Sequence, residues 1–226
     1  MKRFEIFWRD IKNCLQNKVI QNVSSEGKVF NQYNDCNPDV DVHDAASIRK
    51  ENLKTYLKRI NRSTSVLIVG EAPSPWGARF SGIPFMGEEQ VTDPQFCING
   101  KRSSKTKNPP YCSKTDKIFW GIMMNPYLNH SFICWNAVPF HPHKLDDVMT
   151  VRNPTNKEVY QCRDALVLVK KYLKSLKPLK PLKIIAVGRK AEQQLIKLDE
   201  NPIYVIHPSR RKTQFIAEMK ILFEIQ

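Results

Sequence analysis

Four short apolar runs, each followed by a segment of helical character, constrain this chain more than any other feature. They are SVLIV at 65–69, SFICWNAV at 131–138, KIIAV at 183–187 and a short run at 203–206. The first is a β-branched stretch that stops at Gly70 and reads as a parallel strand buried on both faces. Helical patterns cover 115–128, 155–176, 188–198 and 211–223, the second of them framed by Pro154 and Pro178. Strands alternating with helices in this order predict an α/β fold. The expected form is a three-layer α/β/α domain with a central four-stranded, mainly parallel sheet. At 226 residues with 41% apolar side chains, the chain can bury a sizeable core.

Ahead of that domain, residues 1–22 place Phe4, Phe7, Trp8, Ile11, Leu15 and Ile20 at helical spacing. Residues 23–42 are polar and read as a loop, and 44–60 read as a second helix. This gives an N-terminal helical segment over 1–62 packed on an α/β domain over 63–226. Residues 74–114 show no period and are rich in glycine and proline, and an irregular stretch that long is usually functional or disordered. Within it, KRSSKTK at 101–107 reads as a mobile basic loop, either simply solvated or lying along a phosphate backbone.

Charge narrows the partner. Lys and Arg number 36 against 22 Asp and Glu, a formal net charge of +14. A compact basic protein attracts polyanions because neutralising phosphates releases their condensed counterions. The expected partner is therefore nucleic acid rather than a membrane, since no strong basic amphipathic helix or membrane-length apolar run is present. None of the six cysteines forms a CxxC pair, and MKRFEIFWRD is not a signal-peptide pattern. The expectation is an intracellular, cytoplasmic monomer with reduced thiols.

In open α/β sheets, function gathers at the carboxyl ends of the strands. Three of those ends carry unusual residues: GEAPS at 70–74 followed by GIPF at 82–85, WNAVPFHPH at 135–143, and HPSRR at 207–211. The third strand end, Gly188-Arg189-Lys190, reads as a plain strand-to-helix turn. No GxGxxG or P-loop pattern supports a nucleotide-binding Rossmann protein.

The order and strand-end placement of these motifs, between Val66 and Phe215, resemble the uracil-DNA glycosylase superfamily, most closely its GEAPG-type bacterial members. The resemblance implies a monofunctional DNA glycosylase that extrudes a pyrimidine nucleotide from DNA and hydrolyses the bond from base to sugar, leaving an abasic site. It implies roles residue by residue. Asn136 reads the base edge, because an amide offers both an acceptor and donors. Phe85 stacks on the ring. His207 donates to the oxygen that turns anionic. Glu71 polarises water, with a structural role for that carboxylate as the alternative. Gly70, Ala72, Pro73 and Ser74 line the base slot. Ser209, Arg210, Arg211 and Lys212 contact DNA, with Arg210 filling the vacated stack.

Departures from the family pattern bear on the substrate. Ser74 stands where GEAPG members carry glycine and where strict uracil enzymes carry a bulky aromatic that blocks a 5-methyl group. The C5 side of the base is thus left open unless Trp76 or Arg79 refills it. Uracil and 5-modified pyrimidines both remain candidates, and with them both DNA repair and defence against phage DNA carrying bulky modified cytosines. A non-catalytic binder of the same base is the rival reading, with the direction of Glu71 as the discriminating feature. No cofactor and no metal are expected: His141-Pro-His143 lacks a ligand set of convincing spacing, and the absent CxxC argues against an iron–sulfur cluster.

Overall fold

The computed structural model of the chain describes residues 2–16, 27–105, 109–124, 131–177, 179 and 181–225. Helix α1 (Lys2–Gln16) is followed by the short strand β1 (Lys28–Phe30), helix α2 (Ala45–Leu57) and strand β2 (Val66–Gly70). Two short helices, α3 (Ala78–Ser81) and α4 (Glu88–Thr92), and a 3-10 turn at Pro94–Phe96 lead to α5 (Lys114–Met123). Then come β3 (Phe132–Asn136), β4 (His141–His143), α6 (Asn156–Leu176), β5 (Lys183–Val187), α7 (Arg189–Lys197), β6 (Ile203–Val205) and α8 (Lys212–Phe223).

The central sheet has the order β3-β2-β5-β6, and all three pairings are parallel. Every residue of β2 is buried, as a strand covered on both faces requires. Helices flank the sheet in the three-layer arrangement, with α1 lying along α6 and α5 along α8. The chain runs from β2 outward to β3, then crosses back to place β5 on the other side of β2. That reversal opens a crevice at the carboxyl ends of β2 and β5, the usual ligand position in a sheet of this kind.

Two departures from expectation concern the first half of the chain. The stretch expected as a loop over 23–42 contains β1, which pairs antiparallel with β4, the HPH segment. Three residues with a Lys at their head carry too little pattern to announce a strand; the partner lies more than a hundred residues away. The 74–114 stretch is less irregular than it reads, because α3 and α4 fall inside it. Helix α5 follows the expected start but ends at Met123; the remainder of the expected helix, residues 125–128, lies outside the described residues, as do residues 17–22 of the first expected helix.

Phe7, Trp8, Ile11 and Leu15 of α1 and Leu53, Tyr56 and Leu57 of α2 belong to the same apolar core as the sheet. Phe7 stacks on Tyr172 of α6 with centroids 4.1 Å apart. The β1–β4 ribbon is held by Arg152, which donates to the carbonyls of His143 (3.2 Å) and Lys28 (2.9 Å) and pairs with Glu158 at 2.6 Å. Burial alone would raise the Glu158 carboxyl, but hydrogen bonds from Arg152 and Thr155 hold it below the usual carboxylate range.

The basic segment 101–107 is not the free loop its sequence suggests, as far as it is described. The N–H groups of Ser103 and Ser104 donate to Oε1 of the buried Glu88 at 2.7 and 2.9 Å. A carboxylate taken out of water must be paired or hydrogen-bonded, and this stretch of backbone satisfies it. Residues 106 and 107 lie outside the described residues.

Candidate active site

The carboxyl ends of all four sheet strands open into one cleft of ≈1060 Å³, lined by Gly70, Glu71 and Asn136 on one side and Gly188, Lys190 and His207 on the other. Gly70 and Asn136 are register partners at the ends of β2 and β3. Glycine is needed here because a Cβ at Gly70 would lie 2.6 Å from Asn136 Oδ1 and 2.8 Å from Phe85 Cζ. The amide of Asn136 and the ring of Phe85 therefore converge on the same backbone atom.

Phe85 takes a left-handed backbone conformation, φ 59°, which is uncommon for a bulky residue. Its carbonyl accepts from Trp120 Nε1 at 2.8 Å, and its ring stacks on Phe119 with centroids 4.9 Å apart. Strain of this kind persists only where the surroundings hold it, and here two residues of α5 do so. Asn136 is 3% exposed, yet its amide has no hydrogen-bond partner among the described residues. A buried amide with spare donors and an acceptor at the floor of a cleft is ready for a ligand edge.

His207 packs on Gly188, whose φ of 90° and missing Cβ allow the approach; a Cβ there would stand 3.1 Å from His207 Cβ. Its Nδ1 accepts the backbone N–H of Ser209 at 3.2 Å and lies 2.7 Å from the Ser209 hydroxyl. A ring nitrogen that accepts an N–H carries no proton, so the proton sits on Nε2. Burial, aided by Arg210, lowers the pKa of His207 below its ordinary value. The result is a neutral imidazole with Nε2–H as its donor.

Glu71 lines the cleft, and its Oε1 is buried without a partner. Burial raises its pKa, and Lys190 partly offsets that shift. Ala72, Pro73 and Ser74 also line the cleft, while Ser209, Arg210 and Arg211 form its rim and are exposed. Lys212 begins α8 beyond the rim.

A sequence model of the uracil DNA glycosylase superfamily matches residues 57–220. The chain belongs to the uracil DNA glycosylase superfamily. Among solved structures, the crystal structure of wild-type SMUG2 from Pedobacter heparinus is similar in fold, with a TM-score of 0.62 over 96% of this chain and 97% of that one at 12% identity. No curated protein matches the chain.

Other side chains singled out from the sequence take the following places. Arg79 does not refill the C5 side of the slot. It is fully buried, paired with Asp41 at 3.2 Å and set against the rings of Phe80 and Phe30. Its partner lies 38 residues upstream, out of reach of any local pattern. Trp76 is 46% exposed and stacks on Tyr111 beside the cleft. His141 is buried, with its two ring nitrogens 2.9 Å from the carbonyls of Pro73 and Val148. Burial brings it down to about 4, so it braces the 70–74 loop as a neutral side chain. Among the described residues no group of three His, Cys, Asp or Glu side chains could hold a metal ion.

Sequence reading missed Gly188, Lys190 and Asp116. The strand-to-helix turn at 188–190 looked plain, although a Gly at a strand end facing HPS was a usable signal. Asp116 sits at the third position of α5, where it caps the helix by accepting the Ser113 N–H at 3.0 Å. It also lines the cleft, and burial raises its carboxyl to about 6.

Proposed function

We propose that this chain is a monofunctional DNA glycosylase that hydrolyses the N-glycosidic bond of a flipped pyrimidine and leaves an abasic site. The observation that carries the reading is the convergence of Asn136 and Phe85 on Gly70 in the cleft that also holds a neutral His207. In this mechanism the base lies on Phe85 with its N3–C4 edge on the Asn136 amide. The C1′–N1 bond breaks with its electron pair leaving on the base, and O2 gains negative charge. His207 Nε2–H donates to that oxygen, an oriented donor already in place and needing no reorganisation.

Glu71 faces the sugar side of the same cleft. Its carboxylate offsets the positive charge that develops on C1′ and accepts a proton from the attacking water, whose oxygen forms the new bond to C1′. The released base takes up a proton from solvent. No cofactor enters these steps. Glu71 also decides between hydrolysis and mere binding: an unpartnered carboxylate oxygen within the cleft favours hydrolysis. Arg210 and Arg211 at the rim, with Ser209 and Lys212, contact the phosphates on either side of the extruded nucleotide, and Arg210 fills the space that it leaves. DNA repair is the role this chemistry serves when the base is uracil.

The test is base release from single- and double-stranded oligonucleotides carrying uracil, mismatched thymine or 5-substituted pyrimidines. The expected products are free base and an alkali-labile abasic site. Failure to release any base from the whole panel would refute the reading.

A further inference from the structure

We infer that Gln32 and Tyr33, neighbours in the N-terminal segment, are positioning residues that hold the Asn136 and Phe85 loops at one fixed separation. Both lie ahead of the superfamily match at 57–220. What Phe85 and Asn136 do to the base rests on the glycosylase reading above; that their loops are tied together rests on hydrogen bonds. The Tyr33 hydroxyl donates to the carbonyl of Gly82 at 2.7 Å, in the turn that leads to Phe85. Gln32 Nε2 donates to the carbonyl of Pro139 at 2.7 Å, in the loop that follows Asn136. One dipeptide thus joins the two loops whose side chains meet at Gly70.

The dipeptide is itself fixed. Asn31 accepts the Tyr33 N–H on its side-chain oxygen at 3.0 Å and donates its amide to the carbonyl of Leu15, near the end of α1, at 2.7 Å. Arg49, fully buried in α2, donates to the carbonyls of Gln32 and Asp35. The turn after β1 is therefore bonded to both N-terminal helices. Its place along the β1–β4 ribbon follows from register. Lys28 opposes His143 and Phe30 opposes His141, and the same alternation continued sets Gln32 opposite Pro139. Proline has no N–H with which to extend the ladder, and the Gln32 side chain takes the carbonyl that is left.

Both bonds act on backbone that leads straight to the site. Gly82 has φ 77°, and a Cβ there would stand 2.5 Å from the Arg49 carbonyl oxygen. From this turn Ser81 Oγ accepts the Ile83 N–H at 2.9 Å and donates to the Met86 carbonyl at 2.5 Å, which encloses Phe85. On the other loop, Ala137 and Val138 donate to the carbonyls of Gly70 and Glu71 at 2.9 and 3.0 Å. Asn136 is thereby held from β2 on one side and from Pro139 on the other. Gln32 and Tyr33 are both buried, and a buried carbonyl that loses its donor stays unsatisfied. Burial also pushes the Tyr33 hydroxyl up from its ordinary pKa, with Gln32 and Arg49 only partly offsetting it, so it keeps its proton to donate. A displacement of about 1 Å in a group that orients the substrate costs on the order of 10²-fold in rate.

The experiment measures single-turnover base release at saturating enzyme, on whichever oligonucleotide of the panel above the wild type cleaves fastest, together with DNA affinity. Tyr33→Phe and Gln32→Met nearly conserve volume and remove one donor each. Each should lower the release rate about tenfold and leave the Kd for DNA within about twofold, because phosphate contacts set it. Ile11→Val, a core change in α1, should lower the melting temperature without lowering the rate. Wild-type rates in both donor variants, or an equal rate loss in Ile11→Val, overturn the inference. In an Asn136→Ala background Gln32→Met should cost nothing further, since the side chain it positions is gone; a further loss of about tenfold there also overturns it. A wild type that releases nothing from the whole panel counts instead against the glycosylase reading, and NMR then decides. The Trp120 indole N–H donates to the Phe85 carbonyl, so its resonance should move in Tyr33→Phe, and the Asn136 side-chain amide should move in Gln32→Met. Unmoved resonances overturn the inference; shifts absent from Ile11→Val support it.

Discussion

At the residue scale, the backbone N–H of Ser209 settles what His207 can do. By donating to Nδ1 at 3.2 Å it leaves the imidazole proton on Nε2, and burial keeps the ring neutral. In the proposed mechanism His207→Ala removes one oriented donor and Asn136→Ala removes the edge reader. Each should slow base release by about 10²–10³-fold, the usual cost of deleting one such donor. Thermal melting of the Asn136→Ala protein should barely shift, because its side-chain amide has no hydrogen-bond partner to lose among the described residues. Glu71 makes a pH prediction. Its carboxylate is the active form, and burial raises its pKa above the ordinary value. Activity should therefore be present above that raised pKa and fall as pH drops through it, at a higher pH than an unperturbed glutamate would give. Lys190→Ala removes the opposing charge, so the acid limb of the pH–rate profile should move further up. A limb that stays put or moves down in that variant would exclude Glu71 as the titrating group. That His207, Asn136 and Glu71 line one cleft was legible because strand-end motifs carry them. Asp116 was not, because Ser-x-x-Asp before an apolar helix looks like a capping box and nothing more.

At the scale of elements, the site depends on where strands stop. Strand β2 ends in Gly70 beside Asn136, the last residue of β3, where the two parallel strands are in register. Replacing Gly70 with alanine would put a methyl group 2.6 Å from Asn136 Oδ1 and 2.8 Å from the Phe85 ring. Both must then move off the base. The expected outcome is a fold that melts within a few degrees of the wild type while base release falls at least as far as in Asn136→Ala. A Gly70→Ala protein with full activity would show that the two side chains need not meet at that point. The parallel strands and their helices were legible from β-branched runs and helical spacing. The β1–β4 ribbon was not, because it exists through partners far apart in sequence: Lys28 opposite His143, and Arg152 binding both strands. Buried charges hid for the same reason. Asp41 takes Arg49 and Arg79 into the core, and no local rule marks an arginine in a short helix as fully enclosed.

For the whole molecule, a net charge of +14 would, on the proposed function, set how the chain meets DNA, with only a few of its cations read as direct contacts. Arg152 is engaged with Glu158, and Arg189 with Glu192. Arg210, Arg211, Lys212 and Lys190 remain at or beside the cleft, on the helix starts and turns that follow β5 and β6. If these four neutralise one phosphate each, log K for DNA should fall with log salt at a slope of about −3.6, or about 150-fold weaker binding from 50 to 200 mM. The excess charge elsewhere raises association rates at low salt without adding to that slope as contacts do. Arg210→Ala/Arg211→Ala should flatten the slope by about two while leaving the fold intact, since both side chains are exposed. Fluorescence anisotropy with a short oligonucleotide at several salt concentrations measures both values. A wild-type slope near zero would mean the rim arginines do not touch phosphate. An unchanged slope in the double variant would move the DNA path away from β6 and α8.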